Sequence, residues 1–181
     1  MPPWNDIDTV MFDMDGTLLD LHFDNYFWQH LLPLTYAEQN RIAHDEAIAF
    51  VTAKSERVYG TLDWYCLDYW RDELGVDITG LKQTIIVKIR VRPNVETLLT
   101  RLNGAGKRVL LVTNAHPHSL ALKMQHTAIA GFFHQRLGAG LRPHRLHHLG
   151  GRADEHDAFL RAAAREVRIL RQETVARMDR F

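Results

Sequence analysis

Thr9-Val10-Met11-Phe12 is an apolar run that stops abruptly at Asp13, with Met14, Asp15 and Gly16 next. A buried parallel strand reads this way when it delivers its C-terminal end to a site. Gly16 lets the backbone swing back sharply, so the two carboxylates, two residues apart, gather around one turn. A strand of this kind needs parallel neighbours, and those neighbours need crossover helices, which commits the chain to an α/β fold.

The rest of the chain supplies these pieces in order. Residues 24 to about 74 turn helical, with Tyr26, Phe27, His30 and Leu31 at one-turn spacing and an aromatic group at Trp64, Leu67, Tyr69 and Trp70. No strand pattern interrupts them, so residues 21–84 are expected to form a helical cap inserted after the first strand. It closes at Gly75 and the turn-rich Asp77-Ile78-Thr79-Gly80. Arg92-Pro93-Asn94 then starts a helix over 95–105, with Leu98, Leu99 and Leu102 on one face. A polar entry, four apolar residues and a polar exit follow over 107–114, then a helix over 119–126. Strand, helix, strand, helix predicts a Rossmann-like parallel sheet core built from residues 1–20 and 85–134, incomplete in this chain.

From about residue 135 the character changes. The 47 residues 135–181 hold ten arginines and six acids, a net of +4, whereas the first 134 hold twelve basic and sixteen acidic residues, a net of −4. All five lysines lie in the first part, so the neutral total hides two unlike segments. Strand rhythm is lost in the tail, and only 154–177 keeps a helical pattern, through Phe159, Ala163, Val167 and Leu170. Cys66 is the single cysteine, which excludes an intramolecular disulfide and a cysteine-cluster zinc site. With no basic region before an apolar run at the start and no stretch long enough to span a bilayer, the expected setting is the cytoplasm.

Two carboxylates at a strand end suit a hard cation. Magnesium prefers oxygen ligands and takes one or two carboxylates, filling its shell with water and substrate phosphate. Such an ion neutralises a phosphoryl group enough for an anionic Asp to attack phosphorus. Asp15, beside the leaving group, can protonate it and later activate water. The competing reading is that Asp13 and Asp15 merely cap a turn. The strand before them and the Gly-Thr-Leu-Leu-Asp after them favour the site.

Phe12-Asp13-Met14-Asp15-Gly16-Thr17-Leu18-Leu19-Asp20 resembles the first motif of the haloacid dehalogenase-like hydrolases, and Leu110-Leu111-Val112-Thr113-Asn114 resembles their second. More narrowly, Phe23-Asp24-Asn25-Tyr26-Phe27-Trp28, the run from Asp63 to Trp70 and Thr113-Asn114-Ala115-His116-Pro117-His118 are similar to the GMP/IMP nucleotidase branch, over about residues 4–134. The resemblance implies a magnesium-dependent hydrolase of phosphate monoesters on small metabolites, here purine nucleoside 5′-monophosphates, with neither nucleic acid nor membrane as partner. Asp13 becomes nucleophile and metal ligand. Asp15 becomes general acid/base, with its backbone carbonyl on the metal, and Thr113 and Asn114 bind phosphate. Packing is the preferred role for Trp64, Tyr65, Tyr69 and Trp70.

The resemblance also implies a lysine that steadies the charge and an acidic pair after a later strand. No lysine follows Lys123, and Asp154, Glu155 and Asp157 sit on an expected helix start instead. Arg142 is no equivalent point charge, and His147-His148 has no spaced partners for a metal site. Two readings therefore lead: an enzyme with a divergent or partner-supplied C-terminal half, or a tail translated out of frame that leaves an inactive product or a mere binder of phosphate and metal; a nucleic-acid module built on the arginine-rich helix is poorer, since acids at 166, 173 and 179 interrupt its basic face.

Overall fold

The computed structural model describes residues 4–138, and a parallel sheet organises them. Strand β1 (Thr9–Phe12) pairs with β2 (Arg108–Thr113) in the register Thr9↔Arg108 through Phe12↔Leu111. On the other side, β2 pairs with β3 (Gln135–Gly138) from Leu110↔Gln135 to Thr113↔Gly138. Every residue of β2 from Val109 onward is buried, which is why its apolar run is unbroken. Beside it β1 alternates, with Val10 and Phe12 buried and Thr9 and Met11 half-buried. One face of the sheet joins the main core through Val10, Phe12, Val109 and Leu111; Leu110 and Val112 form a smaller cluster with Met11 and Leu137.

The third strand corrects one expectation. Sequence pattern ends the core at residue 134, yet residues 135–138 belong to the sheet. Leu137 is the single large apolar side chain in β3, so there is no run to recognise. His134 leads the chain in: its N–H donates to the Val109 carbonyl at 2.9 Å, and its Nδ1 accepts the Val109 N–H at 3.1 Å. Arg142, His147-His148, Asp154, Glu155, Asp157 and the helix expected over 154–177 lie outside the described residues.

Between β1 and β2 the inserted segment is helical, without a strand among the described residues. It opens with α1 (His22–Tyr26), a π-helical turn (Phe27–Leu31) and α2 (Leu32–Asn40). Pro33 explains the wide turn, because it offers no N–H to the turn before it and its ring crowds the carbonyl four residues back. Then come α3 (His44–Val58), α4 (Leu62–Tyr65) and α5 (Leu67–Leu74), which ends on Gly75 in the left-handed conformation, φ 65°. Packing holds for Trp70, which is 1% exposed, meets Trp28 at 5.2 Å and donates from Nε1 to the Trp64 carbonyl; Trp64 and Tyr69 are partly buried, and Tyr65 is exposed.

Asp77-Ile78-Thr79-Gly80 does not close the cap as a turn. Asp77 is instead the N-cap of α6 (Ile78–Gln83), its carboxylate accepting the Gly80 N–H at 3.0 Å. A 3-10 turn (Ile86–Lys88) leads back to α7 (Val95–Gly104), whose Val95, Leu99 and Leu102 face the core. After β2 comes α8 (Pro117–Thr127), starting two residues before the predicted 119 because Pro117 suits a first helical position. One continuous apolar cluster includes Phe12 and Leu111 of the sheet and Phe23, Phe27 and Trp70 of the insertion, so cap and core share a core.

Candidate active site

Parallel pairing of β1 with β2 sends both chains out of the sheet at the same end. Phe12 lies opposite Leu111, so Asp13 emerges beside the end of β2, where Thr113 and Asn114 follow. Asp13 is exposed, Met14 is fully buried beneath it, and Asp15 is half-buried. The loop is tied tightly: Leu18 and Leu19 donate to the Met14 carbonyl at 3.0 and 2.9 Å, and Gly16 donates to Leu19 at 2.9 Å. Gly16 sits at φ 75°, a conformation that L side chains resist. Arg92 adds a second tie, its Nη1 donating to the Gly16 carbonyl at 2.8 Å.

The four expected residues therefore come to one end of the sheet, in two pairs. Thr113 is buried, and its Oγ1 accepts the Ala115 N–H at 3.2 Å, so part of its capacity is spent on local backbone. Its O–H remains a donor.

A lysine does reach this site, contrary to the expectation from sequence. Lys123, on the buried side of α8, places Nζ 2.6 Å from Asp15 Oδ1 and 2.6 Å from Asp24 Oδ2. Asp24 of α1 in turn accepts from Lys82 of α6 through Oδ1 at 3.0 Å. The Lys82 ammonium lies 4.5 Å from the Phe27 ring centre and 4.8 Å from that of Phe23. Both lysines are almost wholly enclosed, 2% exposed for Lys82 and 1% for Lys123.

This packing sets the proton affinities. Burial pushes the Asp15 carboxyl up; Lys123 pulls it back, but Asp24 and Asp13 add to the upward push, and the net direction is up. Burial also raises Asp24, yet Lys82 and Lys123 outweigh it and hold that carboxyl below the ordinary value of 3.8. For Lys82 burial dominates and lowers it, whereas at Lys123 the two carboxylates overcome burial and raise it.

Another cluster lies nearby. Cys66, Asp68 and His116 bring their ligand atoms within 4.8 Å of one another, the one such threesome among the described residues. His116 Nδ1 accepts the His118 N–H at 3.3 Å, which leaves the ring proton on Nε2, pointing at Asp68 3.4 Å away. Asp68 and His116 thereby tie α5 to the start of α8. A crevice between α5, α6 and α8, lined by Thr79, Lys82, Gln83 and His118 among others, includes neither Asp13 nor Asp15.

A model of the haloacid dehalogenase-like hydrolases matches residues 7–176. The chain belongs to that family. Among curated proteins it is 46% identical, over 126 residues, to the GMP/IMP nucleotidase YrfG of Escherichia coli and equally to that of Shigella flexneri. The match covers 70% of this chain and 57% of each relative, so the chain spans less than two thirds of their length. Among solved structures it is similar to a HAD phosphatase from Thermococcus onnurineus, with TM-score 0.65, 20% identity and coverage of 74% of this chain and 63% of that one. A haloacid dehalogenase-like protein from Streptococcus pneumoniae matches with TM-score 0.51 and 15% identity over 90% and 70% of the two chains. These likenesses show the fold.

Within a haloacid dehalogenase-like hydrolase of this kind, the residues that sequence reasoning misses are Lys123, Asp24, Lys82 and Arg92. The signal for Lys123 is faint but readable: it stands between Leu120, Met124 and Thr127 on the inward side of α8, where an unpaired lysine would be costly. The family resemblance also implies magnesium. At the end of β1 the exposed Asp13 carboxylate and the Asp15 backbone carbonyl are hard oxygen donors, so this set fits a hard divalent ion.

Proposed function

We propose that the chain is a phosphatase of the haloacid dehalogenase-like family acting on purine nucleoside 5′-monophosphates, GMP and IMP. The observation that carries this reading is the exposed Asp13 at the end of β1, with Asp15 two residues on and Lys123 2.6 Å from Asp15. The activity of the curated relatives, 46% identical over 126 residues, supports the substrate class.

In this reading an Asp13 carboxylate oxygen attacks phosphorus and the ester oxygen departs. Asp15, whose carboxyl its buried surroundings push upward, gives that oxygen its proton, so the nucleoside leaves neutral. The resulting Asp15 carboxylate takes a proton from water, which attacks the aspartyl phosphate, releases inorganic phosphate and restores Asp13. Thr113 and Asn114 hold phosphoryl oxygens, and Lys123 balances the charge as it moves between Asp15 and phosphate. Asp13 and the Asp15 backbone carbonyl would hold magnesium, which would supply positive charge to offset that of the phosphoryl group and the Asp13 carboxylate. A cytoplasmic setting accords with this substrate class.

Phosphate release from GMP and IMP by the full chain, with and without magnesium, tests the proposal. Turnover that needs magnesium and drops on the order of 10³-fold or more in Asp13→Asn is the expected outcome. A folded preparation that binds phosphate and metal without turnover overturns it and leaves the reading of a mere binder.

A further inference from the structure

Two enclosed lysines and two partly buried acids meet where the insertion closes on the core, and one of their contacts exceeds what charge balance needs. Two separate pairs, Lys123 with Asp15 and Lys82 with Asp24, would neutralise the set. Asp24 instead divides its oxygens, Oδ1 to Lys82 at 3.0 Å and Oδ2 to Lys123 at 2.6 Å. Lys123 therefore has two anchors, one on the loop after β1 and one on α1. An ammonium on a four-carbon stem with a single anchor can swing about it; with two, and the Phe23 ring centre 5.3 Å away, its place is set.

We infer that Asp24, a residue of the insertion, is a positioning residue for the reaction centre, holding the Lys123 ammonium against Asp15 while Lys82 balances its own charge. The inference rests on the reading of Asp15 as the acid and base of a phosphatase. Its consequence is that the insertion contributes more than a lid. Docking of α1 onto the core and alignment of Lys123 become one event, and a shift of about 1 Å at such a contact can cost on the order of 10²-fold in rate.

The double substitution Asp24→Asn with Lys82→Met separates positioning from structural support. It removes one acid and one base together and leaves Lys123 and Asp15 balanced. If Asp24 merely neutralises Lys82, the double variant behaves as the parent. If it positions Lys123, kcat for GMP falls about 10- to 100-fold while KM moves less than about threefold. In parallel, brief acetylation followed by mass spectrometry reads how far Lys123 is protected. A rise of about fivefold or more in its labelling, in a chain that still melts cooperatively, supports the anchor. Unchanged protection of Lys123 overturns it. Should the wild-type chain release no phosphate, the phosphatase reading fails and the labelling still decides the anchor. Should the double variant not fold, Asp24→Glu, which keeps the charge and lengthens the arm by one methylene, is read by the same labelling and the same two outcomes.

Discussion

The loop after β1 and the charge cluster behind it face the same site but are made in opposite ways. In the loop, residues 13–20 are contiguous, tied by backbone bonds such as Leu18 and Leu19 to the Met14 carbonyl, and the acid that points outward is exposed. The cluster joins residues 58, 99 and 108 positions apart in the chain, through side chains alone, with both lysines buried and both acids partly so. Local construction makes the loop's shape insensitive to the rest of the molecule. The cluster exists when α1, α6 and α8 are docked, so its charges report the tertiary fold. Reactive groups can be carried by a short motif, but the electrostatic setting of those groups is a property of the whole packing.

The largest expected effect breaks the cluster and spares the loop. Lys123→Met leaves Asp15 and Asp24 enclosed without their shared cation, and removing one partner of a buried pair costs about 3–5 kcal/mol. Denaturant unfolding should show it as a lower midpoint with an unchanged slope. Asp13→Asn, on the exposed side of the loop, should shift the same curve by less than about 0.5 kcal/mol while removing turnover. Equal destabilisation by the two substitutions would end the contrast.

A second test uses acid. Asp24 is held below its ordinary 3.8 because two lysines outweigh its burial, so its contribution to stability is fully present above 3.8 and is lost as pH falls through the lowered value. The gap in melting temperature between the parent and Asp24→Asn should be widest at neutral pH and close on acidification below 3.8. A gap that stays constant would mean that Asp24 acts through shape, not charge.

The same contrast explains what could be read from the sequence. Asp13, Asp15, Thr113 and Asn114 were legible because each stands where an apolar strand run stops, and the parallel register brings those stops together. Lys123 was not, because a lysine on a helix ordinarily reads as solvated, and its two acids lie on elements that sequence alone does not place beside it. Asp77-Ile78-Thr79-Gly80 carries an ambiguous signal, since an acid followed three residues later by a free N–H serves a turn and a helix start equally; Leu81 and Ile78 packing inward decides for the helix. In β3 the binding partner is backbone, and a four-residue strand with one large apolar side chain leaves almost no pattern.

His116 touches both regions and should give the smallest effect. It caps α8 two residues after Asn114, and it also faces Asp68 of the insertion. Both contacts are long, 3.3 Å to the His118 N–H and 3.4 Å to the carboxylate, at the weak end of hydrogen bonding. Loss of a helix cap ordinarily costs about 0.5–2 kcal/mol, so His116→Ala should cost about 1 kcal/mol or less by denaturant unfolding. His116→Asn then divides the two contacts, because asparagine is a good cap whose shorter arm does not reach Asp68 in the same way. Full recovery by Asn assigns the whole effect to α8 and leaves the lysine cluster as the polar tie that matters between insertion and core. A residual loss measures the strap to Asp68, and with it the share of the cap's docking that does not pass through Lys123.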